Sequence, residues 1–225
     1  MELKSVLALI SLAVLLSAGV TILAYYILPP RPWLIYLFKP FTTILILVAA
    51  LLPGTLLADP YARLIGLGLF FSLCGDIWLM LPGNRFLYGL FSFLLAHVCY
   101  VFAFLTSGPV HSFPWMALPL SIIGAIILWY LWPSLPRSLR SAVGIYLAVI
   151  VMMAALAASR AIDRLSTGTI SAAIGALLFL ASDAMLAIDR FRRPFHLARA
   201  AVLGSYFAGQ LMIALSVGIM AYRLA

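Results

Sequence analysis

The chain has 225 residues, 66% of them hydrophobic and only 9% charged, with a mean hydropathy of +1.18. Soluble domains carry roughly 25% charged and 45–50% apolar residues, so a soluble fold has nowhere to hide this much apolar surface. The formal net charge of +8 does not point to nucleic acid, because the cations stand singly or in small groups between apolar runs instead of lining one basic face.

Proline, glycine and charge divide the chain into eight apolar runs, at about 5–28, 33–52, 62–81, 86–106, 114–132, 139–158, 167–188 and 198–222. A spanning helix needs about 20 apolar residues, so the length is used up by the membrane and a single integral membrane domain over residues 1–225 is expected. None of the runs alternates with period two as a barrel strand does, and lipid forces backbone amides to pair within a segment or a closed sheet. The expectation is an all-α, polytopic bundle of eight transmembrane helices.

The first run follows Lys4 in a charge order like that of a signal peptide. It is longer than a typical apolar signal region and ends in Tyr25 and Tyr26 before Pro29 and Pro30, which suits an interface belt and a retained span. The second run carries Lys39 followed by Pro40. The third ends in Gly75-Asp76-Ile77-Trp78-Leu79-Met80, and the fourth holds His97 and Tyr100. The fifth run bears no acid or base and the sixth only Arg140 near its start, and their aromatics and methionines, such as Trp129, Trp132, Met152 and Met153, read as anchors or packing. The seventh run ends in Ser182-Asp183-Ala184-Met185-Leu186-Ala187 and leads into Asp189 and Arg190, and the eighth holds Tyr206 and Gln210. Cys74 and Cys99 lie within apolar runs and form neither a disulfide framework nor a metal motif.

The ends of the third and seventh runs resemble one another, each followed by Arg-Phe, at Arg85-Phe86 and Arg190-Phe191. The copies lie four helices apart, so a 4+4 parallel repeat would set both aspartates at one depth. Orientation follows from the cations. One side collects nine, at Arg31, Lys39, Arg85, Arg137, Arg140, Arg190, Arg192, Arg193 and Arg199. The other collects five, at Lys4, Arg63, Arg160, Arg164 and Arg223, which favours both termini outside the cytoplasm.

A charge in the bilayer interior costs at least about 2.5–3.5 kcal/mol, so an intramembrane ionisable residue is a functional candidate. By helical rise Asp76 and Asp183 each lie roughly 10 Å in from the basic side, with His97 and Gln210 roughly 16 Å in. Lys39, Tyr100 and Tyr206 are placed to join the same layer, a pocket opening to the basic side. The plainer alternative is that the aspartates are packing glue between helices. A metal bound by His97, Asp76 and Asp183 has no ligand spacing behind it, so no metal is expected. The basic run Asp189-Arg190-Phe191-Arg192-Arg193 suits a phospholipid phosphate but reads more simply as a positive loop.

At these residues the sequence resembles the YhhN-type lysoplasmalogenase family of eight-helix membrane proteins. The resemblance is carried by Lys39-Pro40, by Gly75 to Leu81, and by the spaced set Phe86, Gly89, Ser92, Phe93, His97 and Tyr100. It continues through Gly175 to Phe179, Ser182-Asp183 and Leu186 to Phe191, and closes with Tyr206 and Gln210. It runs from the second run to the last. It implies hydrolysis of the vinyl ether bond of a lysoplasmalogen, without organic cofactor, to a fatty aldehyde and glycerophosphoethanolamine or glycerophosphocholine. The expected partners are thus a lysophospholipid and the bilayer. Asp76 and Asp183 become the catalytic candidates, with Lys39, His97, Tyr100, Ser182, Asp189, Tyr206 and Gln210 supporting them.

The chemistry fits these residue types. Acid hydrolysis of a vinyl ether needs a proton delivered to carbon and a negative group near the resulting oxocarbenium ion, a division of labour that two carboxyls perform in glycosidases. Three other readings compete. An intramembrane aspartyl protease also uses two aspartates, but Leu73 replaces the first glycine of its Gly-x-Gly-Asp motif and Ser182 precedes the second aspartate. A proton- or cation-coupled small-solute transporter would use the aspartates as ion sites, but no paired helices are broken by Gly or Pro at mid-membrane. The third is a purely structural membrane scaffold.

Overall fold

The structure is a computed structural model that describes residues 3–27, 31–54, 59–83, 85–106, 108 and 110–221, with side chains described to 218. The predicted ends of the first and last runs, at 28 and 222, and Pro29, Pro30 and Arg223 lie outside the described residues. Eight long helices follow in order: α1 Leu3–Ala24, α2 Pro32–Leu51, α3 Pro60–Met80, α4 Phe86–Leu105, α5 Phe113–Leu131, α6 Arg140–Asp163, α7 Thr167–Phe191 and α8 Ala198–Ala221. No strand occurs among the described residues. All eight helices are long and apolar enough to cross a membrane, and the chain is a multi-pass membrane protein.

Local chemistry sets the helix ends. Pro32 and Pro60 occupy first-turn positions, where a missing N–H costs nothing, and Asp59 caps α3 by accepting the Tyr61 N–H at 2.9 Å. Ser166 and Thr169 form a reciprocal capping box at the start of α7. The connection after α3 turns through Gly83 at φ +93°, a conformation that favours glycine.

Helix α6 corrects the sequence reading. It continues past 158 to Asp163, so Arg160, expected in a connection, lies within the helix and is buried. Its guanidinium rests 5.3 Å from the centre of the Tyr61 ring. Asp163 also ties the helix end to the connection before α5 by accepting from the Ser112 N–H and hydroxyl.

Six helices surround the interior, with α3 against α4, α4 against α6, α6 against α7, α7 against α8, and α2 packed on both α3 and α8. Helix α1 lies outside α2 and α8, and α5 lies chiefly outside α6. Both outer helices show apolar side chains to the surroundings, including Leu9, Leu12 and Leu16 on α1 and Leu118, Ile122 and Ile126 on α5. The tightest pairs are α7 with α8 and α3 with α4. A Cβ on Gly175 would lie 2.6 Å from the Gly209 carbonyl oxygen, and one on Gly75 would lie 2.6 Å from the Phe93 ring. Small residues let helices approach closely in lipid, where dispersion contacts must replace the hydrophobic drive.

Candidate active site

Asp76 sits in the last turn of α3 and is almost fully buried. Lys39 and Thr43, one turn apart on α2, both reach it. Lys39 Nζ lies 3.1 Å from Oδ1, while the Thr43 hydroxyl donates to Oδ2 at 2.6 Å. From α8, the Tyr206 hydroxyl donates to Oδ2 at 2.7 Å. A buried cation and two hydroxyl donors therefore compensate the carboxylate. That is the condition under which a charge tolerates such a place.

Asp183, on α7, is held differently. The Tyr146 hydroxyl of α6 donates to its Oδ2, and His97 Nε2 of α4 stands 3.8 Å from the same oxygen. No lysine or arginine is paired with it among the described residues. The His97 ring is wedged edge-on against Phe179 at 4.6 Å and Tyr146 at 5.2 Å between centroids, and Phe179 lies one turn before Asp183 on α7.

The sequence-based site residues divide into groups. Lys39, Asp76 and Tyr206 are joined directly, and His97 stands beside Asp183. Tyr100 and Gln210 are fully buried without direct contact to either carboxyl. Ser182 lines the cleft but turns its hydroxyl to the Val202 carbonyl at 2.9 Å, a bond between α7 and α8. Asp189 lies at the mouth, where its Oδ1 accepts the Phe195 N–H at 3.3 Å. Sequence reasoning missed Thr43 and Tyr146. Thr43 stands one turn from Lys39, and Tyr146 is the single tyrosine of its apolar run, so spacing and oddity were the available signals.

Three adjoining spaces meet here. A polar cleft is lined by Tyr25, Lys39, Asp76, Asp183, Arg199 and Tyr206, among others. An apolar groove between α3, α4, α5, α6 and α7 shares Leu79, Phe93, Asp183 and Leu186 with it, and continues past Leu131, Val143, Leu147 and Ile150. Among the described residues, Asp183 is the one carboxyl lining that groove. The mouth, lined by Asp189, Arg190, Pro194, Phe195 and Arg199, shares Leu79, Leu186 and Arg199 with the cleft. A molecule with one long apolar chain and an anionic head matches this sequence of surfaces. Among the described residues no group of three His, Cys, Asp or Glu side chains is arranged to hold a metal ion.

The sequence profile of the YhhN family matches residues 34–217. The chain is 33% identical over 173 residues to lysoplasmalogenase TMEM86A of Bos taurus, an alignment covering 72% of this chain and 68% of that protein. It is 30% identical over 202 residues to the uncharacterized membrane protein YhhN of Escherichia coli O157:H7, covering 90% and 95% of the two chains. A lysoplasmalogenase of Mycobacterium tuberculosis is 31% identical over 176 residues, covering 74% and 66%. No solved structure matches the chain.

Proposed function

Because this chain belongs to the YhhN family, with relatives named lysoplasmalogenase, we propose that it hydrolyses the vinyl ether bond of a lysoplasmalogen. The products are a fatty aldehyde and glycerophosphoethanolamine or glycerophosphocholine. One observation carries the reading: Asp183 stands where the apolar groove meets the polar cleft. A single alkenyl chain in the groove puts its first two carbons beside that carboxyl and its glycerol in the cleft.

Asp183, ion-paired with no lysine or arginine among the described residues, is the carboxyl free to carry a proton, and it delivers that proton to the second alkenyl carbon. The first carbon becomes an oxocarbenium centre. Asp76, ion-paired with Lys39, faces the same cleft as the negative group. Water adds to the first carbon and its proton returns to Asp183. The hemiacetal then breaks its bond to glycerol oxygen, releasing aldehyde and the glycerol hydroxyl. Tyr146 orients Asp183, while Arg190 and Arg199 at the mouth meet the phosphate.

The excess of cations on the side of the mouth supports a cytoplasmic mouth with both termini on the other side. The test is aldehyde release by the purified chain from a lysoplasmalogen beside its saturated ether analogue. Release from the vinyl ether alone is expected. No release from a well-folded preparation would remove the assignment and favour an ion-coupled carrier.

A further inference from the structure

One helical turn deeper than the carboxyls lies a second polar layer that the proposed chemistry has not yet used. Ser72 precedes Asp76 by four residues on α3, Gln210 follows Tyr206 by four on α8, and Tyr100 follows His97 by three on α4. Residues three or four apart share a helix face. Because α3 runs toward the basic side while α4 and α8 run away from it, all three steps go deeper by one turn. Helix α3 packs on both α4 and α8, which brings together the three helices that carry them.

All four of Ser72, His97, Tyr100 and Gln210 are fully buried. The Ser72 and Tyr100 hydroxyls, both ring nitrogens of His97, and the amide nitrogen and oxygen of Gln210 lack a hydrogen-bond partner among the described residues. The Tyr100 hydroxyl faces that of Ser72 without closing a hydrogen bond. The His97 ring lies near the Phe93 backbone, and its Nε2 faces Asp183. Buried polar groups in folded proteins are nearly always satisfied, by protein or by ordered water. A primary amide, two hydroxyls and an imidazole within about one turn of depth supply the three or so bonds that a buried water takes. The 3.8 Å separation of His97 Nε2 from Asp183 Oδ2 is also one that a water bonded to both atoms spans.

We propose that Ser72, His97, Tyr100 and Gln210 hold a cluster of resident water, and that this water is the nucleophile of the hydrolysis. The second half rests on the function proposed above. With the chain in the groove and the head in the mouth, the substrate closes the routes by which bulk water reaches the carboxyl layer. Water from beneath His97 adds its oxygen to the first alkenyl carbon. It passes its proton through His97 to the Asp183 carboxylate, which restores the acid. Gln210, Ser72 and Tyr100 are positioning residues, acting through the water.

Radiolytic hydroxyl-radical footprinting of the wild-type protein in detergent, without substrate, tests the first half. Radicals born on bound water label the side chains beside it, so Tyr100 should be labelled well above Phe104 and Met153, which are as deeply buried. Tyr100 labelled no faster than Phe104 overturns the proposal. For the second half, Gln210→Leu and the smaller change Ser72→Ala should each lower both Tyr100 labelling and kcat, the latter about 10-fold or more. KM and the affinity for the saturated ether analogue should stay within about twofold, since neither residue is placed to touch the lipid. Unchanged kcat in both variants, with Tyr100 labelling lowered, contradicts the nucleophilic role. If the wild type releases no aldehyde, the assignment as a hydrolase fails on its own, while labelling still decides whether the layer is wet.

Discussion

Asp76 and Asp183 are the same residue type at the same sequence-derived depth, yet their neighbours differ. Lys39, Thr43 and Tyr206 fix Asp76, so Lys39→Met should leave a buried charge unpaired and destabilise the protein by about 3–5 kcal/mol. Unfolding in detergent measures this. The double variant Lys39→Met with Asp76→Leu should regain much of the loss while remaining inactive, and a double variant no more stable than Lys39→Met alone would refute the pairing. Tyr146→Phe removes the hydroxyl that orients Asp183. As Asp183 gives up its proton it becomes a charged acceptor, and a hydrogen bond to a charged group contributes about 1.5–3 kcal/mol, so kcat should fall about 10- to 100-fold with little change in KM. Both aspartates were legible in the sequence because a carboxyl in an apolar run is conspicuous. Tyr146 and Thr43 were not, since a tyrosine or threonine in a membrane helix is ordinary until its partner is known.

At the scale of elements, the tight pairing of α7 with α8 sets where Asp183 stands relative to Tyr206. The Gly175–Gly209 approach leaves no room for a side chain against backbone. Gly175→Ala should therefore cost about 1–3 kcal/mol of stability, read as a lowered Tm, and should loosen the cleft enough to reduce activity. Gly144, whose Cβ would meet nothing within 4 Å, provides the control: Gly144→Ala should leave Tm unchanged or raise it. All eight helices were legible from apolar runs and prolines. Their ends were less so, because charge was taken as punctuation. Arg160 shows why that fails: its long stem and guanidinium cover the Tyr61 ring inside the bundle.

At the scale of the whole molecule, five helices, α3 to α7, bring side chains such as Leu79, Leu90, Leu131, Val143 and Leu180 to one apolar groove. No local pattern announces such a groove, because its lining is chemically the same as the lipid-facing surface. If it holds the alkenyl chain, Ala184→Phe, which fills part of the groove lining, should shift preference toward shorter chains. Comparing kcat/KM across a chain-length series reads this directly, and an unchanged profile would place the chain elsewhere. The mouth should act on the head alone: Arg190→Gln with Arg199→Gln is expected to raise KM for the phospholipid substrate by about 10-fold or more. A phosphate-free alkenylglycerol should show no such change.

The most direct test of the two-carboxyl account is the fate of Asp183→Asn, measured as kcat for aldehyde release together with binding of the saturated ether analogue. An asparagine keeps the shape but has no acidic proton to give, so kcat should fall by about 10²- to 10⁴-fold while the analogue binds as tightly as to the wild type. Undiminished aldehyde release by the folded variant would contradict the account, because the proton would then be coming from somewhere other than the carboxyl at the head of the groove.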